Sequence, residues 1–237
     1  MSNVVELRQY TLKSGQRDTL IALFEREFVE SQEAAGMDII GTFRDADDPD
    51  RFVWLRGFPD MESRARSLGA FYGGPVWQAN RDAANATMID SDNVLLLRPA
   101  WAGSGFAMEG TRAPRGATAL PAGLVTATIC YFAAPVTEAQ IAVFRRLPPG
   151  RCAEAGANLA AALVTEGSPN TFPALPVREG EHVFAWFSVF ADAASAGAIA
   201  LPAEIERALV KPPEILRLQP TARSRLHDLW DSQVANS

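Results

Sequence analysis

From Val4 to Leu12 apolar and polar residues alternate, with Val5 and Leu7 on one side and Glu6, Arg8 and Tyr10 on the other, which predicts a first strand. After the Ser14-Gly15 break, Leu20, Leu23, Phe24 and Phe28 recur at helical spacing, and Gly36 is placed to end that helix. Asp38 to Arg44 and Arg51 to Phe58 read as strands joined over the turn-rich stretch between them. A second helical region starts near Asp60, breaks at Gly73-Gly74-Pro75, resumes through Trp77 to Ala86 and gives way to a strand over residues 92–100. The order is β-α-β-β-α-β.

Residues 101–122, rich in Gly, Ala, Pro and Thr and without a period, read as a linker. The pattern then restarts. Ile21-Ala22-Leu23-Phe24 recurs as Ile141-Ala142-Val143-Phe144; Trp54, Phe58 and Asp60 recur as Trp186, Phe190 and Asp192; Leu97 and Pro99 recur as Leu218 and Pro220. The expected organisation is therefore a first repeat over 1–100, the linker, and a diverged second repeat over 123–237. The fold class is α+β: two tandem ferredoxin-like units, each with helices on one sheet face and the other face free to be covered by its sister sheet.

Composition narrows the setting. A chain of 237 residues with 48% hydrophobic and 21% charged residues suits two small domains with a sizeable core. A net charge of -6 without a Lys/Arg cluster argues against a nucleic-acid partner. No apolar run approaches the roughly 18 residues of a membrane span, and the amino-terminal residues do not read as a secretion signal, so a cytoplasmic location is expected. Cys130 and Cys152 then read as free thiols in a reducing compartment.

The segments VVELRQYTLKSGQ, DRFVWLRGFPDMESRARSLGAFYGGPVW and DSDNVLLLRPA resemble the first domain of NIPSNAP proteins, members of the dimeric α+β barrel superfamily. VFAWFSVFAD and ILRLQPTARSRL are a weaker echo in the second half. The resemblance implies a barrel in which the two repeats of one chain stand in for two subunits. It supplies no catalytic residues to carry over, since family members are mostly of unknown or non-enzymatic role. The wider superfamily includes cofactor-free monooxygenases, isomerases and haem enzymes, an analogy of fold alone.

The repeats differ in charge. With Tyr10 set against Tyr131, Glu6 and Arg8 match Ala127 and Ile129; with Trp54 set against Trp186, Arg56 matches Ser188. Glu6, Arg8, Tyr10, Trp54 and Arg56 would share one face, expected to point into the barrel, leaving Val5, Leu7, Val53 and Leu55 under the helices. Two readings follow. Glu6 and an arginine satisfy each other as a buried pair, or one arginine is left to receive a carboxylate, enolate or carbonyl oxygen while Tyr10 and Trp54 hold an apolar body.

They differ in length too. Phe71, Tyr72 and Trp77 around the Gly73-Gly74-Pro75 break suit either an aromatic lid over a ligand or a kink packed into the core. Arg81 and Asn85 share a helix face and either reach the same cleft or are solvated. His182 and His227 have no companions at ligand spacing, the aspartates between residues 45 and 50 lack the rest of a calcium loop, and Gly103 and Gly105 lack the rest of a dinucleotide loop, so no metal and no cofactor are assigned. Two functional readings remain: a small-molecule pocket in the first repeat, with cofactor-independent monooxygenase or isomerase-like chemistry if it is an enzyme, or a non-catalytic adaptor acting through its surface. A homodimer is compatible with either and required by neither.

Overall fold

The computed structural model describes residues 2–108, 111–146, 157–196 and 201–227. Eight antiparallel strands close a barrel: β1 (Val4–Leu12), β2 (Asp38–Asp45), β3 (Arg51–Phe58), β4 (Met88–Pro99), β5 (Leu124–Phe132), β6 (Ala157–Thr165), β7 (His182–Phe190) and β8 (Glu214–Pro220). Around the barrel they run β1-β3-β2-β8-β5-β7-β6-β4, so each half contributes four adjacent strands. Two short seams join the halves. Leu97, Arg98 and Pro99 pair with Thr165, Val164 and Leu163, and Phe43, Arg44 and Asp45 pair with Pro220, Gln219 and Leu218.

Helices cover the outside. In the first half, α1 (Arg17–Leu23) runs through a π-helical turn (Phe24–Phe28) into α2 (Val29–Ala34), and α3 (Met61–Tyr72) is followed by α4 (Pro75–Thr87). Asp60 caps α3 by accepting from the Ser63 amide at 2.6 Å. The break between α3 and α4 needs its glycines, because a Cβ on Gly73 or Gly74 would sit within 2.9 Å of the Gly69 or Ala70 carbonyl. In the second half, α5 (Glu138–Arg146), a 3-10 turn (Ala193–Ser195) and the single turn α6 (Ala203–Glu206) are the described helices. Cys152 lies outside the described residues. The expected strand over 92–100 begins earlier, at Met88. No helix among the described residues is long and apolar enough to cross a membrane.

The two faces of the first sheet are the reverse of the sequence expectation. Val5, Leu7, Val53 and Leu55 point into the barrel, where they pack with Val125, Ala127, Ile129, Ala185 and Phe187 of the second half. Tyr10, Phe52, Trp54 and Phe58 lie under the helices with Phe24, Phe28, Leu68 and Phe71. The reason is the availability of partners. A barrel lumen made from two inward faces offers a charge nothing but opposing strands, whereas a helix can supply guanidinium, amide and phenol groups to it. The lumen holds this packed apolar cluster. Phe106, from the stretch between the halves, enters it and meets Phe187 edge-on at 5.0 Å.

The strand-one alignment of the halves was displaced by one residue, which flips every side chain to the other face. Arg8 pairs with Trp54 and Thr128 with Trp186; Glu6 pairs with Arg56 and Thr126 with Ser188; Tyr10 pairs with Phe52 and Cys130 with Phe184. The positions equivalent to Glu6, Arg8 and Tyr10 are thus Thr126, Thr128 and Cys130. Tyr131 faces the lumen instead.

Candidate functional site

Glu6 is the centre of the helix-covered face. Its carboxylate is fully buried and meets three arginines: Arg8 Nη1 at 2.7 Å from the same strand, Arg56 Nε at 2.8 Å from β3, and Arg64 Nε at 2.6 Å from α3. Arg56 Nη2 lies 2.7 Å from the same Glu6 oxygen, but off the hydrogen-bonding direction. All three guanidiniums are at most 1% exposed. Three cations on one anion leave a formal charge of +2, and among the described residues no second carboxylate pairs with them.

The remaining bonds of the cluster go to neutral groups. Arg8 Nε donates to the Tyr10 hydroxyl at 3.0 Å, and Arg56 Nη1 donates to Gln32 Oε1 at 3.0 Å and to the Tyr72 hydroxyl at 3.4 Å. Gln32 in turn donates to the Phe28 carbonyl at 3.1 Å, tying the π-helical turn to the arginines. Both Arg8 and Arg56 lie over the Trp54 ring, at 5.5 and 5.0 Å. Arg64 Nη2 and Trp54 Nε1 are buried donors without a partner. Neither the Tyr10 nor the Tyr72 hydroxyl has an acceptor for its proton among the described residues, so the uncommitted groups of this site are donors.

Electrostatics fix the protonation states. Burial pushes the Glu6 carboxyl up, but Arg56, Arg8 and Arg64 together hold it well below the usual carboxylate range. Burial works against the charge on Arg8, and the Glu6 carboxylate with the hydrogen bond to the Tyr10 hydroxyl more than offsets it. Burial and Tyr72 raise the Tyr10 phenol above its ordinary value against the pull of Arg8 and Arg56, so Tyr10 stays protonated.

Beside the arginines lies a cavity of about 30 Å³, bounded by Tyr10, Phe24, Phe28, Trp54, Tyr72 and Trp77 among others. Its size admits a water molecule or two. Tyr72 and Trp77 meet edge-on at 4.8 Å on either side of the Gly73-Gly74 break and are half-buried, so they form the side of the cavity nearest solvent.

Of the residues singled out from the sequence, Glu6, Arg8, Tyr10, Trp54, Arg56, Tyr72 and Trp77 come together here. Arg81 does not: it is exposed, bonded to Gln78 and 3.4 Å from Asp82. Sequence reading missed Arg64 and Gln32. Arg64 stands three, four and seven residues before Ser67, Leu68 and Phe71, all buried, so an arginine on the inward stripe of α3 was the available signal. Among the described residues no group of three or more His, Cys, Asp or Glu is arranged to hold a metal ion.

The family model described as NIPSNAP matches residues 5–102. The whole chain is similar in fold to a protein from Lactobacillus acidophilus provisionally named a monooxygenase, at 14% identity and a TM-score of 0.54, covering 94% of this chain and 97% of that one. It is likewise similar to a Fusobacterium nucleatum protein with the same provisional name, at 11% identity and a TM-score of 0.55, covering 95% of each chain. An uncharacterized NIPSNAP-like domain protein from Burkholderia xenovorans shares 28% identity over 43% of this chain and 87% of its own, with a TM-score of 0.39. No curated protein sequence matches.

Proposed function

With residues 5–102 assigned to the NIPSNAP family, we propose that this protein binds a small apolar or aromatic acid between the helices and sheet of its first half. The uncompensated charge of Arg8, Arg56 and Arg64 carries the reading. Burying cations without counter-ions costs several kcal/mol per ion, roughly, and an incoming oxyanion recovers part of that cost by meeting donors already in place. The aromatic rings beside the cluster suit an apolar body, and the Gly73-Gly74 break lets Tyr72 and Trp77 move apart to enlarge the cavity. In this reading the two β-α-β-β-α-β units of the chain correspond to two subunits of a dimeric barrel, only one of which keeps a binding face.

The arrangement also suits chemistry. Guanidiniums aimed at an oxygen favour its enolate or phenolate form, and that electron-rich species is what proton transfer or oxidation by O2 without a cofactor requires. The provisional names of the two fold neighbours agree with this direction and rest on fold alone. The closed state of the cavity favours the second reading, a non-catalytic adaptor in which the three arginines serve only to anchor Glu6.

Native mass spectrometry of the purified protein separates the two. Binding predicts a co-purifying small acid, or uptake of an aromatic carboxylate from a panel with a rise in melting temperature, and a loss of about 10- to 100-fold in affinity in Arg56→Met. An empty wild-type protein indifferent to the panel leaves the adaptor reading in place.

A further inference from the structure

The first half's pocket is lined by residues of the first half, but the second half stands behind one of them, Tyr72. Segment 166–181, between β6 and β7 of the second half, crosses onto it. Phe172 stacks on Tyr72 with centroids 6.0 Å apart and planes 28° from parallel, and Phe172 and Leu175 pack on the same apolar cluster as Trp54 and Phe71. Arg64 Nη1 donates to Asn170 Oδ1 at 3.0 Å and to Thr171 Oγ1 at 3.2 Å. Thr171 Oγ1 donates to the Met61 carbonyl at 3.1 Å, at the start of α3.

Both ends of the segment are pinned to β4. The Glu166 amide donates to the Leu96 carbonyl at 2.8 Å and the Arg178 amide to the Val94 carbonyl at 2.9 Å. Arg178 also reaches Asn93 Oδ1 at 3.2 Å and pairs with Glu181. Inside this span the chain organises itself: Asn170 donates to the Leu175 carbonyl at 2.9 Å and accepts from the Phe172 amide at 3.0 Å. Phe172 is thereby presented as a rigid aromatic rather than left on a loose loop.

We infer that the second half supplies a wall behind the Tyr72 side of the first half's pocket, with Phe172 setting how far Tyr72 can yield and so the length of ligand admitted, and with Asn170 and Thr171 orienting Arg64. This rests on the binding reading above and adds to it: two bonds from Arg64 Nη1 to the segment hold the guanidinium so that its unpartnered Nη2 stays available. Asn170 and Thr171 are positioning residues, and Phe172 is a specificity residue.

Two measurements test this. Ala84, buried in the cavity lining, is changed to cysteine, and its modification by methyl methanethiosulfonate is followed by peptide mass spectrometry, with buried Cys130 as internal reference. If Phe172 is the wall behind Tyr72, Phe172→Ala in the Ala84→Cys background speeds labelling at position 84 at least 10-fold while Cys130 labelling stays constant. Equal rates with and without Phe172 overturn the inference whatever the ligand. Phe172→Leu, which keeps an apolar side chain on Tyr72, guards against a fold defect and should give an intermediate rate.

The second measurement is affinity for benzoate and 2-naphthoate. Phe172→Ala should raise the naphthoate-to-benzoate affinity ratio about 10-fold, and an unchanged ratio overturns the specificity role. Failure of wild type to bind either probe sinks the binding reading instead, and the labelling result still decides the wall.

Discussion

The helix-covered faces of the two halves are built on the same strand pairings and filled in opposite ways. In the first half, Glu6 opposite Arg56 and Arg8 opposite Trp54 carry charges that two helices, α2 and α3, must satisfy. In the second half, Thr126 opposite Ser188 and Thr128 opposite Trp186 carry none, and the Phe144 ring lies flat on Phe184 at 3.7 Å. The second face is packed ring on ring. The first carries a buried charge excess, and Phe172 of the second half stacks on its Tyr72. A buried ion cluster is weak evidence for stability, so its confinement to one half separates a face that specifies from a face that only folds.

Removing the single carboxylate should break this difference hardest. Glu6→Ala leaves three guanidiniums buried without an anion and should cost about 3 to 5 kcal/mol in urea unfolding, whereas Thr126→Ala at the matching position should cost no more than about 1 kcal/mol. Phe144→Ala is the converse experiment on the second face. It should cost about 3 kcal/mol or more through the cavity it leaves, with no change in ligand uptake by the first half.

Arg8→Met comes next and runs against intuition. It lowers the cluster charge from +2 to +1, so its loss should be well below that of Glu6→Ala, and the measurement is a comparison of their urea midpoints. A fully destabilised Arg8→Met would mean that the charge excess is not the governing quantity.

Acid sharpens the same comparison. Because the folded-state pKa of Glu6 is depressed, its contribution is present above the unfolded carboxyl value near pH ~4.3 and is lost as pH falls below it. The urea midpoint of wild type should drop more steeply between about pH 5 and 3 than that of Glu6→Gln. The smallest expected effect is at Ser188, whose buried hydroxyl has no partner among the described residues. Ser188→Ala should change stability by less than about 1 kcal/mol and in the favourable direction.

The element order, the helix start near Asp60 and the break at Gly73-Gly74 were legible in the sequence because each has a local cause. The grouping of Glu6, Arg8, Tyr10, Trp54 and Arg56 on one face was legible too, since period-two alternation fixes which residues travel together. It cannot say which way the sheet faces, because Val5 and Leu7 on one side and Phe52 and Trp54 on the other are both apolar enough to be buried. That choice is made by the helical groups that meet the charges, Gln32 on Arg56 and Arg64 on Glu6, far apart in the chain. Arg64, Gln32 and Phe172 were missed for the same reason: their roles come from helix packing and from a loop about a hundred residues away.

The closed ring of strands has one more consequence, concerning how this chain meets copies of itself. A sheet with an open edge offers unpaired amide and carbonyl groups to any passing strand, a hazard for aggregation and a handle for assembly. Here β2 is matched with β8 and β4 with β6 inside a single polypeptide, so both handles are already taken. A self-association of this protein must therefore be written in side chains on helices and loops, and a single substitution there could tune it without touching the barrel.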